Sequence, residues 1–304
     1  MKRYSRPFVQ DETGLSGILP WRIGRLTDRG EHTLVEGGVV IEEPLEISLD
    51  GKPVVVLMRT PGMEKELAAG FCLGEGLVAD LMDIALIRHC GRTIPDAAPS
   101  GPVEGDPFDE SRNRVDVRLM PGAVSSPLQS DVAPLIRSGC GRTEVGAMVE
   151  NLTPIGTGAK VRADTLSKLG GQITRQQAAY RAAGGIHAAA VFETDGRMVV
   201  VCEDIGRHNA VDKAVGYCLL RGIPLQDKVL VSTGRASYEM VTKGVRVGVP
   251  ILASISSPTS LAVELAEALN CTLLGYLRGK TFNVYTHGWR IVADGINAEE
   301  RKRA

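Results

Sequence analysis

The chain has 304 residues, 43% of them hydrophobic, with 35 Lys and Arg against 36 Asp and Glu for a formal net charge of −1. That is enough chain for two domains and a sizeable core. The near-even charge argues against a general nucleic-acid binder. No apolar stretch reaches the roughly 18–20 residues a membrane helix needs, and the first residues, Met1-Lys-Arg-Tyr-Ser-Arg-Pro7, lack the apolar core of a signal peptide. The six cysteines are not paired at short spacing, which points to a reduced, cytoplasmic protein and not to a disulfide framework.

In chain order, residues 1–32 are basic, rich in Gly and Pro and weakly periodic, and read as a weakly ordered tail. Leu45, Ile47 and Leu49 then alternate with polar residues, Asp50-Gly51 follows, and Pro53 to Met58 is apolar, the pattern of a β-hairpin around an Asp-Gly turn. Thr60 as N-cap and Pro61 in the first turn predict a helix start. Glu64 and Glu66 would sit near its positive end, with Leu67, Phe71 and Leu73 on its apolar face. Residues 91–113 carry four prolines and read as loop, and Val115 to Leu119 alternates as a strand. Residues 33–125 are therefore expected to form a small α+β domain.

The segment Ile136-Arg-Ser-Gly-Cys-Gly-Arg-Thr-Glu144 sets Cys140 between two glycines. Glycines let the backbone bend and let a ligand come close. On these residues alone, Cys140 is either an exposed thiol with chemistry or a loop cysteine of no consequence. Thr174 is expected to cap a helix over residues 176–183 that stops at Gly184-Gly185. Ile186–Phe192, Asp195-Gly196 and Met198–Cys202 predict a second hairpin.

That hairpin runs into Glu203-Asp-Ile-Gly-Arg-His-Asn-Ala-Val-Asp-Lys213, where an apolar strand turns abruptly polar and then takes helical spacing. Apolar strands and helices alternate from there to Tyr285, which predicts a mostly parallel sheet. Residues 126–292 would be this α/β domain and 293–304 a C-terminal tail.

Four strand ends would converge on one side, carrying Glu203/Asp204/Arg207/His208, Ser232/Thr233/Gly234/Arg235/Ser237, Ser256/Ser257/Thr259/Ser260, and Arg278/Gly279/Lys280. Hydroxyls and glycines at helix starts, flanked by Arg and Lys, suit a phosphate, and the carboxyl edge of an open sheet is where ligands bind. The plainer reading is that the Ser and Thr residues are only caps. His208 is read either as a ligand or proton-transfer group or as a partner of Asp204, and His187 as structural. Glu203 and Asp204 are expected to orient Arg207, and Asp212 and Lys213 to lie on the solvated side of their helix. Cys202, Cys218 and Cys271 fall in core patterns. A zinc deaminase site is poorly matched, because Cys140 has Thr143 three residues on and His187 lacks the following glutamate.

These strings (Glu42-Glu-Pro-Leu-Glu46, the Met63–Gly76 segment, Ser138-Gly-Cys-Gly141, Glu203–Lys213, Ser232-Thr-Gly-Arg235, Ser257-Pro-Thr-Ser-Leu-Ala262, Leu277-Arg-Gly279 and Phe282-Asn-Val-Tyr285) resemble the formate dehydrogenase accessory sulfurtransferase family, FdhD, from about Val35 to Ile291. The resemblance implies a cytoplasmic homodimer with a cytidine-deaminase-like layered α/β domain that uses no zinc. It implies that sulfur passes as a persulfide on Cys140 from a cysteine desulfurase to a Mo- or W-bis(molybdopterin guanine dinucleotide) cofactor, for the catalytic subunit of formate dehydrogenase. A guanine nucleotide is expected to be able to take the cofactor's place. The expected contacts are Arg207, His208, Ser232, Thr233, Gly234, Arg235, Ser257, Thr259 and the run Tyr276, Leu277, Arg278, Gly279, Lys280, Thr281. No nucleic acid or membrane partner is implied. Where the family loop reads Cys-x-x-Cys, this chain has Cys140-Gly-Arg-Thr143. A lone thiol holds a persulfide but does not resolve it as an internal disulfide. The alternative is therefore a cofactor-binding chaperone without sulfur relay.

Overall fold

The computed structural model describes residues 17–90, 113–123 and 152–293. Its centre is a six-stranded sheet in the order β13-β12-β11-β10-β8-β9. The strands are β8 (His187–Glu193), β9 (Met198–Asp204), β10 (Lys228–Ser232), β11 (Ile251–Ser254), β12 (Thr272–Arg278) and β13 (Thr281–Thr286). The expectation of a mostly parallel sheet is corrected. Only β10–β11 and β11–β12 pair in parallel, while β8–β9, β8–β10 and β12–β13 are antiparallel. For β8–β9 and β12–β13 the cause is local: the Asp195-Gly196 and Gly279 turns are too short for a crossover, and a tight turn forces antiparallel neighbours. Because β8 runs against both β9 and β10, strands β9 to β12 still share one direction, so their carboxyl ends lie on one edge.

The sheet is buried on both faces, since alternate residues of a strand point to opposite sides. Ala188, Ala190 and Phe192 of β8 join Leu166, Leu169 and Ile173 of helix α2 (Ala163–Gln176) on one face. Ala189 and Val191 join α4 (Arg207–Leu220), α5 (Tyr238–Arg246) and α6 (Ser260–Ala268) on the other. The helix expected at 176–183 is in fact two. α2 runs to Gln176, the helix is interrupted at Gln177, and α3 spans Ala178–Ala183. Thr174 is no cap: it lies inside α2 and donates its hydroxyl to the carbonyl of Gly170.

The N-terminal module is a four-stranded sheet, β4-β3-β6-β5, built from β3 (Glu43–Leu49), β4 (Lys52–Arg59), β5 (Ile84–Cys90) and β6 (Arg114–Leu119). Its first hairpin turns at Asp50 and Gly51, both with positive φ, as a tight two-residue turn requires. Helix α1 (Glu64–Gly74) packs between this sheet and α4. The two helices approach through glycines. A Cβ on Gly70 would stand 2.0 Å from the Asp212 carbonyl oxygen, and one on Gly216 would stand 1.9 Å from that of Glu66. The stretch read as a tail contains a strand, β1 (Ile18–Leu26), which pairs along its whole length with β2 (His32–Val40) in a separate ribbon. A short parallel pair, β7 (Val161–Arg162) with β14 (Ile291–Val292), completes the strands among the described residues. No helix among them is long and apolar enough to cross a membrane.

Candidate functional site

The carboxyl edge of β9 to β12 is held up by a buried brace. Asp204, 0% exposed, forms an ion pair of 2.7 Å with Lys213. It also accepts hydrogen bonds from the backbone N–H of Thr60 and Gly206 and from Asn209 Nδ2. Lys213 donates to the Thr60 carbonyl, Asn209 to the Met58 carbonyl, and the Ile205 N–H to Thr60 Oγ1. Thr60 is thus no helix cap. Its backbone and hydroxyl clamp the end of β4 to the start of α4, while Met63, with φ 60°, stands at the N-cap of α1.

One helical turn on, Asp212 lies 2.8 Å from Lys243, which also pairs with Glu75 at 2.9 Å. Burial pushes Asp212 up to about 6, although Lys243 pulls the other way. Burial alone would lower Lys243, but Asp212 and Glu75 hold it above its ordinary value. Asp212 and Lys213 are therefore not on a solvated side, because α1 covers the outer face of α4 and leaves both 2% exposed. Glu203 does not orient Arg207 either. Its two oxygens accept the backbone N–H groups of Ala179 and Tyr180 at the start of α3.

Above the brace runs a continuous rim. Arg207 opens α4 and lays its stem on Gly234, where a Cβ would come within 2.7 Å of its Cδ. Among the described residues its buried Nε has no hydrogen-bond partner, nor has the buried Ser237 Oγ at the N-cap of α5. His208 Nε2 lies 3.0 Å from Glu239 Oε2. Gly234 accepts from Ser254 Oγ, Ala236 donates to the Ser257 carbonyl, Tyr276 donates to the Ser256 carbonyl, and Arg278 Nε donates to the Ile255 carbonyl at 2.9 Å. These links tie the four strand ends together in the order the topology sets. His187, read from sequence as structural, belongs to this rim. Its Nδ1 is 3.4 Å from Thr233 Oγ1, and its pKa is lowered by burial first and then by Arg207 and His208. The hairpin register, which puts His187 opposite Asp204, was the signal for its place.

Several hydroxyls are already engaged. Ser232 Oγ accepts from the Gly234 N–H, Thr233 Oγ1 from the Ala188 N–H, and Thr259 Oγ1 from the Ala262 N–H as the cap of α6. Leu277 is 1% exposed, with its side chain in the core shared with α2, so only its backbone reaches the rim. Arg235, Tyr276, Arg278, Gly279, Lys280 and Thr281 are exposed, and Ser257 is half-buried. Tyr276 takes φ 54° at an irregularity in the β12–β13 pairing, a conformation that costs free energy for a non-glycine residue and recurs at ligand sites. The rim is thus a row of cations and backbone turns, open on one side, that suits an extended anion.

Cys140 lies outside the described residues. Burial pushes the thiols of Cys72, Cys202 and Cys271 up to about 12 and that of Cys218 to about 11, which removes them as nucleophiles near neutral pH.

Fold and rim together describe an α/β protein whose central sheet gathers Arg207, Arg235, Arg278 and Lys280 along one edge. Comparison with known proteins places it more narrowly. Residues 40–292 match the family model described as FdhD/NarQ. The chain is 44% identical over 262 residues to the "Sulfur carrier protein FdhD" of Mycobacterium tuberculosis, covering 83% of this chain and 91% of that protein. It is 36% identical over 296 residues to the protein of that name from Streptomyces avermitilis, covering 91% and 100%. Its fold matches that of a putative formate dehydrogenase accessory protein from Desulfotalea psychrophila with a TM-score of 0.69 and 24% identity, over 91% of this chain and all of that one. The chain belongs to the FdhD/NarQ family.

Proposed function

We propose that the protein is a sulfur carrier for formate dehydrogenase maturation. It takes sulfur from a cysteine desulfurase as a persulfide on Cys140 and passes it to a Mo- or W-bis(molybdopterin guanine dinucleotide) cofactor bound along the rim. The Cys140 thiolate attacks the outer sulfur of the desulfurase persulfide. That sulfur moves to Cys140, and the desulfurase cysteine leaves as its thiolate. On delivery the S–S bond at Cys140 would break, Cys140 would leave as its thiolate, and the two electrons that take the sulfur to the sulfide level would come from the reduced metal centre of the acceptor cofactor. The observation that carries this reading is the rim itself: the carboxyl ends of β10, β11 and β12 side by side and that of β9 beyond the start of β8, with Arg207, Arg235, Arg278 and Lys280 beside backbone turns, suited to pyrophosphate. Four of the six thiols are silenced by burial, which leaves Cys90 and Cys140, and Cys140 alone sits between glycines and near Arg137 and Arg142. On this reading the protein is a cytoplasmic homodimer. Its central sheet with helices on both faces is of the cytidine-deaminase-like kind, and the transfer needs no zinc.

Mass spectrometry after incubation with a cysteine desulfurase and cysteine should show a gain of about 32 Da on Cys140. Its absence, while a two-cysteine relative gains sulfur under the same conditions, rules out the carrier role. One observation favours a second reading: Thr143 stands where the family loop has a second cysteine. If the protein is instead a cofactor-holding chaperone, Cys140→Ala will still restore formate dehydrogenase activity in cells lacking their own accessory protein. The carrier reading predicts that it will not. Guanosine diphosphate serves as the binding probe, and Arg207→Ala should weaken its binding at least tenfold if the rim holds the nucleotide end.

A further inference from the structure

The β1–β2 ribbon has one continuous apolar face. Directly paired residues of an antiparallel ribbon share a face, and here the pairs are Leu19 with Val39, Trp21 with Gly37, and Ile23 with Val35. The first charge on that face is Arg25, at the tip. Trp21 is 51% exposed, Ile23 38% and Val39 40%. Ile23 Cδ1 lies 2.7 Å from where a Gly37 Cβ would stand, so its side chain fills the space beside Trp21 and levels the face. The opposite face is mixed. Arg22 pairs with Glu36 there at 3.2 Å, beside Leu26, His32 and Leu34, while Ile18 and Val40 at the base pack on Ala179, Ala183 and Ile186. Among the described residues the ribbon is therefore anchored at its base and otherwise uncovered along its length. A lone two-stranded ribbon is marginal in water, and a contiguous apolar patch marks an interaction face.

We infer that the same face of a second copy covers it. Charge selects the occupant. The tip carries Arg25 and Arg29 against Asp28 and Glu31, an even balance that lets two copies meet without net repulsion. A nucleic acid or acidic peptide would need cations where this face has Leu19, Trp21, Ile23 and Val35. A patch that meets itself closes as a two-fold dimer, and twisted sheets pack face to face at about 10 Å. Nine residue pairs at about 3.4 Å each give a strip about 30 Å long. Two such strips cover roughly 600 Å² in total, less than half of the roughly 1,600 Å² of a standard interface, so the ribbon supplies one part of the contact between copies and not all of it.

The inference rests on the homodimer proposed above and adds where the copies meet. Sedimentation equilibrium on the full chain tests it. Trp21→Glu with Ile23→Glu should raise the dimer Kd on the order of 100-fold, while Leu34→Glu, on the other face, should leave it unchanged. Circular dichroism checks that each variant is folded. A gentler measurement uses Trp289→Phe, which leaves Trp21 as the sole tryptophan; its emission should shift to the blue as concentration rises through the Kd. A wild-type chain that stays monomeric up to about 100 µM overturns both the dimer and the ribbon contact. A dimer that ignores the double substitution, with Trp21 emission independent of concentration, overturns the ribbon contact alone.

Discussion

The brace and the rim are cut from one string, Glu203 to Lys213, yet they obey opposite rules. In the brace, Asp204, Asn209, Asp212 and Lys213 are buried and every charge has a partner within hydrogen-bonding distance. In the rim, Arg207 and His208 sit one to six residues away, at the open end of the same helix, and among the described residues Arg207 Nε there and Ser237 Oγ at the N-cap of α5 are unspent. A buried charge with a full set of partners fixes geometry, whereas a polar group left unsatisfied at an open edge is available to a ligand. Polarity alone does not separate these uses. What separates them is whether a second helix covers the residue.

Substitution of the glycine seam should have the largest effect. Any side chain at Gly216 meets the Glu66 backbone, so Gly216→Val should cost about 3 kcal/mol or more and yield little folded protein, as read by urea unfolding. Lys213→Ala, which strands Asp204 in the interior, should cost about 3–5 kcal/mol. A loss no larger than that of Arg207→Ala would erase the distinction between brace and rim.

Two carboxylates near the module boundary should respond to pH with opposite sign. Asp212 has a folded pKa of about 6, above its ordinary 3.8. The folded state therefore binds the proton more tightly, and stability falls as pH rises from about 4 through about 6. Asp212→Asn should flatten that slope. Glu64 is held below its ordinary value: burial pushes it up, but the Gly62 N–H and then Arg59 outweigh burial. Its contribution is present above about 4.5 and lost as pH falls below that. Glu64→Gln should therefore destabilise at pH 7 and change little in strong acid. Parallel pH profiles for the two variants would contradict the assignment.

Rim substitutions should separate function from stability. Gly234→Ala pushes on the Arg207 stem and should cost about 1 kcal/mol in stability while it abolishes rescue of formate dehydrogenase activity. The smallest effect is expected at the exposed Arg197–Glu193 pair, where Arg197→Ala should stay within about 0.5 kcal/mol by thermal unfolding.

Much of this was legible beforehand. The Asp50-Gly51 and Asp195-Gly196 turns and the apolar strands lie where turn chemistry and periodicity put them. The convergence of four strand ends followed from strand order. What sequence did not show was set by distant partners. Thr60 looks like a cap until Asp204 and Lys213, more than 140 residues on, engage it. Asp212 and Lys213 look solvated until α1 is laid over them. His187 looked structural because its alternating strand says nothing about which edge that strand begins on.

Four thiols with pKa values near 11 or 12 bear on any traffic in reactive sulfur. A carrier that exposed spare cysteines would mislay its cargo onto them or lock it into mixed disulfides. Cys72, Cys202, Cys218 and Cys271 are shut inside the core on the α4–α6 face of the central sheet, so the native protein should take up an alkylating label at no more than two of its six cysteines, and at all six once unfolded. On the carrier reading proposed above, arriving sulfur would find few wrong addresses.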